Sequence, residues 1–129
     1  MHKSIHILIL EDVASDADLI EFELMEAGFD FILKRARDEK EFLRALDEFS
    51  PDLILSDYDL PQYTGALALT EVKRRLPEVP FILVSGALDE GDDRISKILA
   101  GGAIDCVLKD HLDRLAPVVH KALGISTGT

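Results

Sequence analysis

The chain has 129 residues and one Cys, and its 25 Asp and Glu outnumber its 14 Lys and Arg, for a formal net charge of −11 at pH 7. The length fits a single domain, the lone Cys excludes a disulfide framework and a cysteine-rich zinc site, and the acidic balance argues against nucleic-acid binding through phosphates while it suits cations. Because there is no signal-peptide pattern and no apolar run near the ~18 residues of a membrane helix, we expect a soluble, cytoplasmic protein that binds no membrane.

Apolar runs alternate along the chain with segments of helical period, and this order predicts five βα units. The predicted strands are, in chain order, residues 5–10, 31–36, 52–56, 81–84 and 104–108. These runs show little of the polar alternation of a half-exposed strand, so we expect central strands covered by helices on both faces.

The helices that follow these strands are marked by caps, glycines and prolines. Ser15 with Asp18 predicts a capping box that begins the first helix, which runs through residue 27 and ends at Gly28. The other boundaries are Asp38 with Glu41 before the second helix, Pro77 after the third, residues 89–100 for the fourth, and Asp110 as N-cap of the fifth. Residues 61–65 are predicted to form a loop, and Pro117 predicts a kink in the last helix.

The five units predict an α/β fold of one domain, residues 1–129, with its core in residues 5–123 and a tail or linker start in residues 124–129. The doubly wound parallel (βα)5 sheet is expected in the flavodoxin-like strand order 2-1-3-4-5 with right-handed crossovers. Ligands bind outside the carboxyl ends of the strands in such a sheet, so the polar residues at four strand ends should meet in one crevice. These residues are Glu11, Asp12, Asp57, Ser85 and Lys109.

The three carboxylates of that crevice predict a site for a divalent cation. Glu11 and Asp12 follow the first strand, and Asp57 follows the third, its neighbour in the sheet. Carboxylates this close raise one another's pKa, and Mg²⁺, which prefers oxygen ligands and is often shared with a phosphate, relieves their repulsion. Asp57 can also act as a nucleophile, since aspartyl phosphates are established intermediates, and the two roles are compatible. The backbone carbonyl of Asp59 is a further candidate ligand.

A hydroxyl and an ammonium complete the predicted site. Ser85 ends the fourth strand, beside the strand of Asp57, and its hydroxyl can donate to a phosphoryl oxygen. Lys109 ends the fifth strand and can neutralise a phosphoryl group as a point charge. A Ser before Gly is by itself more often a turn residue, and a Lys at a strand end is more often solvated. The prediction therefore depends on their shared place at the edge of the sheet.

In this order over five βα units, Glu11-Asp12, Asp57, Ser85-Gly86 and Lys109 resemble the receiver domain of two-component response regulators. The resemblance covers residues 5–123, and residues 105–115 are similar to the subgroup of receivers often associated with PAS and histidine-kinase proteins. Each motif alone is weak, whereas the ordered set of four is highly specific.

The resemblance implies a phosphoacceptor in a phosphorelay rather than an enzyme, with only self-catalysed phosphotransfer and slow autodephosphorylation. Asp57 would take a phosphoryl group from a histidine kinase or a histidine phosphotransfer protein and switch a partner or an attached domain. Mg²⁺, or Mn²⁺ in its place, would be the only cofactor. Its ligands would be Glu11, Asp12, Asp57 and the Asp59 carbonyl, and the phosphoryl oxygens would be held by Ser85 and Lys109. The output partner is not indicated by the sequence, and a homodimer is left open.

Two positions depart from the pattern of the family. Receivers usually carry an aromatic residue three positions before the Lys, which swings inward on activation, and here that residue is Cys106. The usual Lys-Pro pair is replaced by Lys109-Asp110. With Ser85 and Cys106 at the switch positions, the departures concern the output mechanism and not the phosphoryl chemistry. Cys106 is expected to be a small buried side chain rather than a reactive thiol.

Three other interpretations of the same residues are weaker. Asp57-Tyr58-Asp59 matches the D-x-D motif of haloacid dehalogenase-type phosphatases, but that motif normally follows the first strand of a longer chain. A flavodoxin-like FMN binder needs a phosphate loop rich in Ser, Thr and Gly after the first strand, where this chain has the acidic residues 11–16. A vestigial receiver that serves only as an interaction module is disfavoured by the intact set of acids, Ser and Lys.

Overall fold

Strands and helices alternate along residues 4–124, the part of the chain that the structure, a computed structural model, describes. The strands are β1 (Ile5–Leu10), β2 (Phe31–Ala36), β3 (Leu53–Ser56), β4 (Asp59–Leu60), β5 (Tyr63–Thr64), β6 (Phe81–Ser85) and β7 (Asp105–Leu108). The α-helices are α1 (Ala14–Glu26), α2 (Glu39–Glu48), α3 (Gly65–Arg75), α4 (Asp93–Ala100) and α5 (Leu115–Leu123), and a 3₁₀ segment, Lys109–Arg114, precedes α5. None of the helices in this range is long and apolar enough to cross a membrane.

Five parallel strands form the main sheet in the order β2-β1-β3-β6-β7. Because β6 and β7 are the predicted fourth and fifth strands, this order confirms the doubly wound α/β sheet with strand order 2-1-3-4-5. Leu10 of β1 is level with Ser56 of β3, and the Asp57 N–H donates to the Leu10 carbonyl at 3.0 Å. Glu11 and Asp57, the residues that follow β1 and β3, therefore leave the sheet at adjacent points of one edge.

The central strands bury side chains on both faces, as their unbroken apolar runs predict. Successive residues of a strand point to opposite faces. Leu8 and Leu10 of β1 accordingly pack in one cluster with Phe42 of α2, whereas Ile7 and Ile9 pack in the other with residues of α1 and α5. Full burial of a side chain of this size contributes about 1.5–3 kcal/mol. The sheet is thus packed between two helical layers, and the loops at its carboxyl edge begin directly after buried strands.

A two-stranded antiparallel sheet, β4 with β5, corrects the prediction that residues 61–65 form a loop. Asp59 is paired with Thr64, and Leu60 is paired with Tyr63. The Thr64 hydroxyl also accepts a hydrogen bond from the Leu67 N–H at 3.2 Å and caps α3. Strands of two residues carry too few side chains for a periodic pattern, so the sequence does not indicate them.

The first helix begins before the capping box that the sequence predicts. Val13 is the N-cap of α1, and Ser15 therefore lies inside the first turn and does not cap the helix. The Val13 N–H donates instead to a carboxylate oxygen of Glu11 at 3.1 Å. The entry into α1 is thus set by an acid of the predicted cation site, and this local bond overrides the Ser15–Asp18 pattern.

The fourth helix is shorter than the predicted residues 89–100. Gly91 has a φ of 88° and lies before the helix, in the left-handed region that a glycine adopts at little cost. Asp92 is the N-cap, and its carboxylate accepts a hydrogen bond from the Arg94 N–H at 2.9 Å. By contrast, Asp38 caps α2 as predicted, because its carboxylate accepts from the Glu41 N–H at 2.9 Å.

The last helix corrects the prediction of an N-cap at Asp110 and a kink at Pro117. The backbone departs from helical geometry at His111, within the 3₁₀ segment, where φ is −133° and ψ is 50°. α5 begins only after that segment, so Pro117 occupies its first turn. The first N–H groups of a helix have no partner within it, and a proline there removes no hydrogen bond. The irregularity thus precedes α5 and is not caused by the proline.

Candidate functional site

Three carboxylates from two neighbouring loops meet at the carboxyl edge of the sheet. Glu11 and Asp12 lie between β1 and α1, and Asp57 directly follows β3. Ligand atoms of these three residues all lie within 4.8 Å of one another. The structure therefore confirms that the acids predicted to meet do meet, although 45 positions or more of sequence separate Asp57 from the other two.

The three carboxylates differ in their exposure to water. Glu11 is 1% exposed and Asp57 is 8% exposed, whereas Asp12 is exposed. Burial raises the pKa of the Glu11 carboxyl, contact with Lys109 opposes that rise, and the charge of Asp57 adds to it, so that the net direction is upward. Charges buried in this way are costly unless they are paired or bind a metal.

Lys109 supplies a positive charge at the centre of this acidic group. Its Nζ lies 2.7 Å from Glu11 Oε1, 2.8 Å from Asp16 Oδ2 and 3.1 Å from Asp57 Oδ2. Burial lowers the pKa of this ammonium, but the contacts with Asp16, Glu11 and Asp57 outweigh burial and raise it overall. Lys109 is therefore charged at neutral pH.

Glu11 and Asp57 are held in the same way. One oxygen of each carboxylate accepts a hydrogen bond from a backbone N–H, that of Val13 for Glu11 at 3.1 Å and that of Tyr58 for Asp57 at 2.7 Å. The other oxygen of each faces Lys109. Each carboxylate thus has a fixed rotamer with one oxygen directed into the crevice.

The residues of the crevice fit a divalent cation. Glu11 Oε1 is buried, and its partner within residues 4–124 is the Lys109 ammonium, 2.7 Å away. A cation beside it would complete its coordination. Three carboxylates are hard oxygen donors of the kind that Mg²⁺ prefers, and the exposed Asp12 leaves the site open to water and to a phosphate.

The Ser85-Gly86 pair lies beside Lys109. Ser85 ends β6 and is fully buried, and its Oγ accepts a hydrogen bond from the Ala87 N–H at 3.2 Å, which leaves its own O–H available to donate. A Cβ added to Gly86 would lie 3.2 Å from Lys109 Cδ, so the lack of a side chain there gives the Lys109 stem its room. The predicted role of Ser85 toward a phosphoryl group stays a prediction.

Asp59 and Cys106 occupy different surroundings. The Asp59 carboxylate is exposed on β4, and the predicted role of its backbone carbonyl as a metal ligand remains a prediction. Cys106 is buried in the core, which confirms the expectation of a small buried side chain. Burial raises the pKa of its thiol to about 11, with Asp105 acting in the same direction and Arg114 against it. The thiol is therefore protonated and unreactive near neutral pH.

Sequence reasoning misses three residues that contact the site. Asp16 pairs with Lys109, and Arg35 of β2 hydrogen-bonds to the backbone of residues 11 and 12. Gly65 begins α3 against the backbone of Asp57, where an added Cβ would lie 2.6 Å from the Asp57 carbonyl oxygen. Of these three residues, only Gly65 has a local feature that could have indicated a close contact, because it is a glycine at the first position of a helix. The contacts of Asp16 and Arg35 exist only in the folded chain.

The sequence model of one family, described as "Response regulator receiver domain", matches residues 7–120. The chain belongs to this family. The receiver resemblance of the strand-end residues is thereby confirmed, and so is the flavodoxin-like fold that it implies.

Curated relatives of this receiver domain include whole regulators and parts of larger enzymes. Two-component response regulator ORR8 of Oryza sativa subsp. indica is 34% identical over 110 residues, which cover 81% of this chain and 85% of the relative. Protein-glutamate methylesterase/protein-glutamine glutaminase 2 of Rhizobium johnstonii is 29% identical over 112 residues, which cover 87% of this chain but only 30% of the relative. A receiver of this kind therefore occurs both as most of a protein and as a minor part of one.

Solved structures agree with the assignment. The signal receiver domain of a signal transduction histidine kinase from Syntrophus aciditrophicus is 28% identical, with a TM-score of 0.79 and coverage of 98% of this chain and 96% of that one. The signal receiver domain of a putative LuxO repressor protein from Vibrio parahaemolyticus has a TM-score of 0.83 at 20% identity, with coverage of 95% and 92%. The second likeness concerns the fold alone.

Proposed function

We propose that this receiver domain is a phosphoacceptor of a two-component phosphorelay, in which the Asp57 carboxylate takes a phosphoryl group from a phosphohistidine. The supporting observation is the arrangement around Asp57 Oδ2, which lies 3.1 Å from the half-buried ammonium of Lys109 and next to the carboxylates of Glu11 and Asp12. A candidate nucleophile, three carboxylates that could hold a cation and a positive charge thus lie in one crevice. The donor would be a histidine kinase or a histidine phosphotransfer protein. Because the donor histidine is phosphorylated from ATP, which is a cytoplasmic substrate, we propose a cytoplasmic location for this receiver as well.

In the proposed step, an oxygen of Asp57 attacks phosphorus and the bond from phosphorus to the donor nitrogen breaks. The product is an aspartyl phosphate, and the histidine nitrogen leaves with the electron pair of the broken bond. Lys109 would neutralise the transferred group, which its 3.1 Å distance from Asp57 Oδ2 supports. The hydroxyl of Ser85 would donate to one of the phosphoryl oxygens, which is supported by its acceptor role toward the Ala87 N–H. A divalent cation held by Glu11, Asp12, Asp57 and the Asp59 carbonyl would offset the charge of the phosphoryl oxygens.

Incubation with a small acyl phosphate donor tests this proposal without knowledge of the kinase. In Mg²⁺ we expect the intact chain to gain one phosphoryl group that is stable in acid and labile in base, and to gain none when the cation is chelated. Mass spectrometry of the intact chain counts the groups. Failure to incorporate phosphate in saturating Mg²⁺ would favour the interpretation of a vestigial receiver that acts by binding alone.

The structure gives little support to the alternative function as a haloacid dehalogenase-type phosphatase. The D-x-D motif of this chain follows β3, whereas it normally follows the first strand, and its second acid, Asp59, lies exposed on β4. The family assignment also favours a receiver. Because regulators and methylesterases both contain similar domains, we propose that the phosphorylated form acts on a separate partner or an attached output domain.

Substitution of Asp16 by Asn is expected to speed the labelling of Asp57. Asp16, whose side chain is 32% exposed, holds Lys109 Nζ at 2.8 Å and so competes with an incoming phosphoryl group for that charge. A partly exposed ion pair contributes about 0.5–1 kcal/mol, so we expect a gain of roughly two- to five-fold in the initial rate with an acyl phosphate. Asp18→Asn, an exposed acid of the same helix, is the control. A slower rate in Asp16→Asn would mean that Asp16 orients Lys109 productively rather than competing for it.

Phosphorylation is expected to alter residues 86–100 more than β7. Ile98 is the one buried residue of α4, and the loop before α4 contains Gly91 in a left-handed conformation. Few buried contacts make a segment easy to shift. Cys106, by contrast, is packed in the core and too small to act as an aromatic switch. Hydrogen exchange with and without a phosphoryl mimic should change protection in residues 86–100, and changes centred on residues 104–108 would contradict this.

A further inference from the structure

Arg35 joins the edge strand of the sheet to the loop that carries two of the acids. Its Nε donates to the carbonyl of Glu11 at 2.9 Å, and its Nη2 donates to the carbonyl of Asp12 at 2.8 Å. The preceding residues on the same face of β2, Phe31 and Leu33, pack against the core. Where this apolar alternation would continue, the chain has a half-buried Arg that reaches over the end of β1.

Asp12 depends on its backbone for its position more than the other two acids do. Glu11 and Asp57 each have a carboxylate fixed by a backbone N–H and by Lys109. Within the described range, residues 4–124, the Asp12 carboxylate has no hydrogen bond or ion pair of its own. Its distance to the other two carboxylates is therefore set by the main chain of residues 11 and 12, and Arg35 is the side chain that holds that main chain.

We propose that Arg35 is a positioning residue of the cation site, which keeps the Glu11–Asp12 backbone in the conformation that presents Asp12 to the cation. The inference deepens the proposed function and rests on it, because it assumes that the three carboxylates bind a cation. Arg35 touches neither the cation nor the phosphoryl group. It acts through the planar fork of its guanidinium, which donates to two successive carbonyls at once, and a Lys cannot reproduce that geometry.

Thermal unfolding of the intact chain in increasing Mg²⁺, at constant ionic strength and without a phosphodonor, tests this role. Residues that orient metal ligands typically change affinity by 10- to 100-fold, and we expect Arg35→Gln to raise the half-saturating Mg²⁺ concentration about 10-fold. Arg37→Gln is the matched control, because it removes the same charge two positions along the chain and breaks only an exposed pair with Glu41. It should leave the half-saturating concentration unchanged.

Two further variants separate positioning from charge. Arg35→Lys keeps the charge without the fork, and we expect it to recover only a minor part of the lost affinity. In an Asp12→Ala background, titrated to Mg²⁺ concentrations high enough to saturate that weaker site, Arg35→Gln should raise the half-saturating concentration by less than about twofold, because the ligand that it positions is already gone. At saturating Mg²⁺ the acyl phosphate labelling rate of Arg35→Gln should return to that of the wild type, as expected for a defect in cation affinity and not in the transfer step.

Four results would overturn the inference. They are an unchanged half-saturating concentration in Arg35→Gln, full rescue by Arg35→Lys, an undiminished loss in the Asp12→Ala background, and an equal loss in Arg37→Gln. A wild-type protein that does not respond to Mg²⁺ would overturn both the inference and the proposed cation site. Labelling that survives removal of Asp57 would overturn the proposed phosphoacceptor alone, since the cation titration contains no phosphodonor.

Discussion

Asp57→Asn is expected to reduce phosphorylation by an acyl phosphate to the level of a control without donor. The amide keeps the shape of the side chain, so the hydrogen bond from the Tyr58 N–H and the packing beside Gly65 are retained. It removes the nucleophilic oxygen, and no aspartyl phosphate can form. The measurement is the intact mass after incubation in saturating Mg²⁺, followed by base treatment, which should release the group from the wild type.

A neighbouring carboxylate provides the control for this loss. Asp59→Asn removes the exposed second acid of the Asp57-Tyr58-Asp59 stretch and leaves its main-chain carbonyl in place. We expect this variant to be labelled as the wild type is. Labelling that persists in Asp57→Asn would refute the assignment of the acceptor, and labelling that disappears in Asp59→Asn would require a role for that side chain that the structure does not suggest.

At a Mg²⁺ concentration that nearly saturates the wild type, the response of stability to Mg²⁺ should be large in the wild type and nearly absent in Asp12→Ala. A cation that binds only the native state stabilises it, and at about tenfold above half-saturation the gain is about 1.4 kcal/mol. For a chain of this size that gain corresponds to a rise of roughly 4–6 °C in Tm. Asp12 is the exposed carboxylate of the three, so its loss removes one expected cation ligand without leaving a buried charge unpaired.

The same titration separates a defined site from general screening of an acidic surface. Glu78→Ala removes an exposed carboxylate that precedes β6, at the edge of the sheet opposite the three carboxylates, and should keep the full Mg²⁺ response. An equal loss of response in Glu78→Ala and Asp12→Ala would assign the effect to the net charge of −11 rather than to the crevice. A full response in Asp12→Ala would place the cation elsewhere.

The sheet and most of the site were predictable because they depend on local patterns. Unbroken apolar runs indicate buried parallel strands, and the residues that end those runs must lie along one edge. Glu11, Asp12, Asp57 and Lys109 therefore meet as the sequence predicts. The ordered set of these strand-end residues is also specific enough to indicate the receiver family from the sequence alone.

Other features depend on contacts that no local pattern contains. Asp16 stands on α1 among several acids, and only the folded chain distinguishes the one that pairs with Lys109. The fork of Arg35 reaches backbone oxygens, which have no sequence signature. The start of α1 differs from the sequence prediction for another reason, because a local hydrogen bond, from the Val13 N–H to the Glu11 carboxylate, accompanies a helix start ahead of Ser15.

The ion pairs of Lys109 join parts of the chain that leave the ribosome at different times. Asp16 and Lys109 are 93 positions apart, and the three acids that contact the ammonium, Glu11, Asp16 and Asp57, all precede it in synthesis. A nascent chain can bring β1 and β3 together and gather these acids. It cannot neutralise their negative charge with Lys109 until β7 has been made and has added to the edge of the sheet. A chain cut short before β7 would carry an acidic cluster without its counter-charge, so the proposed acceptor site would be complete only in a domain that has been translated to its last strand.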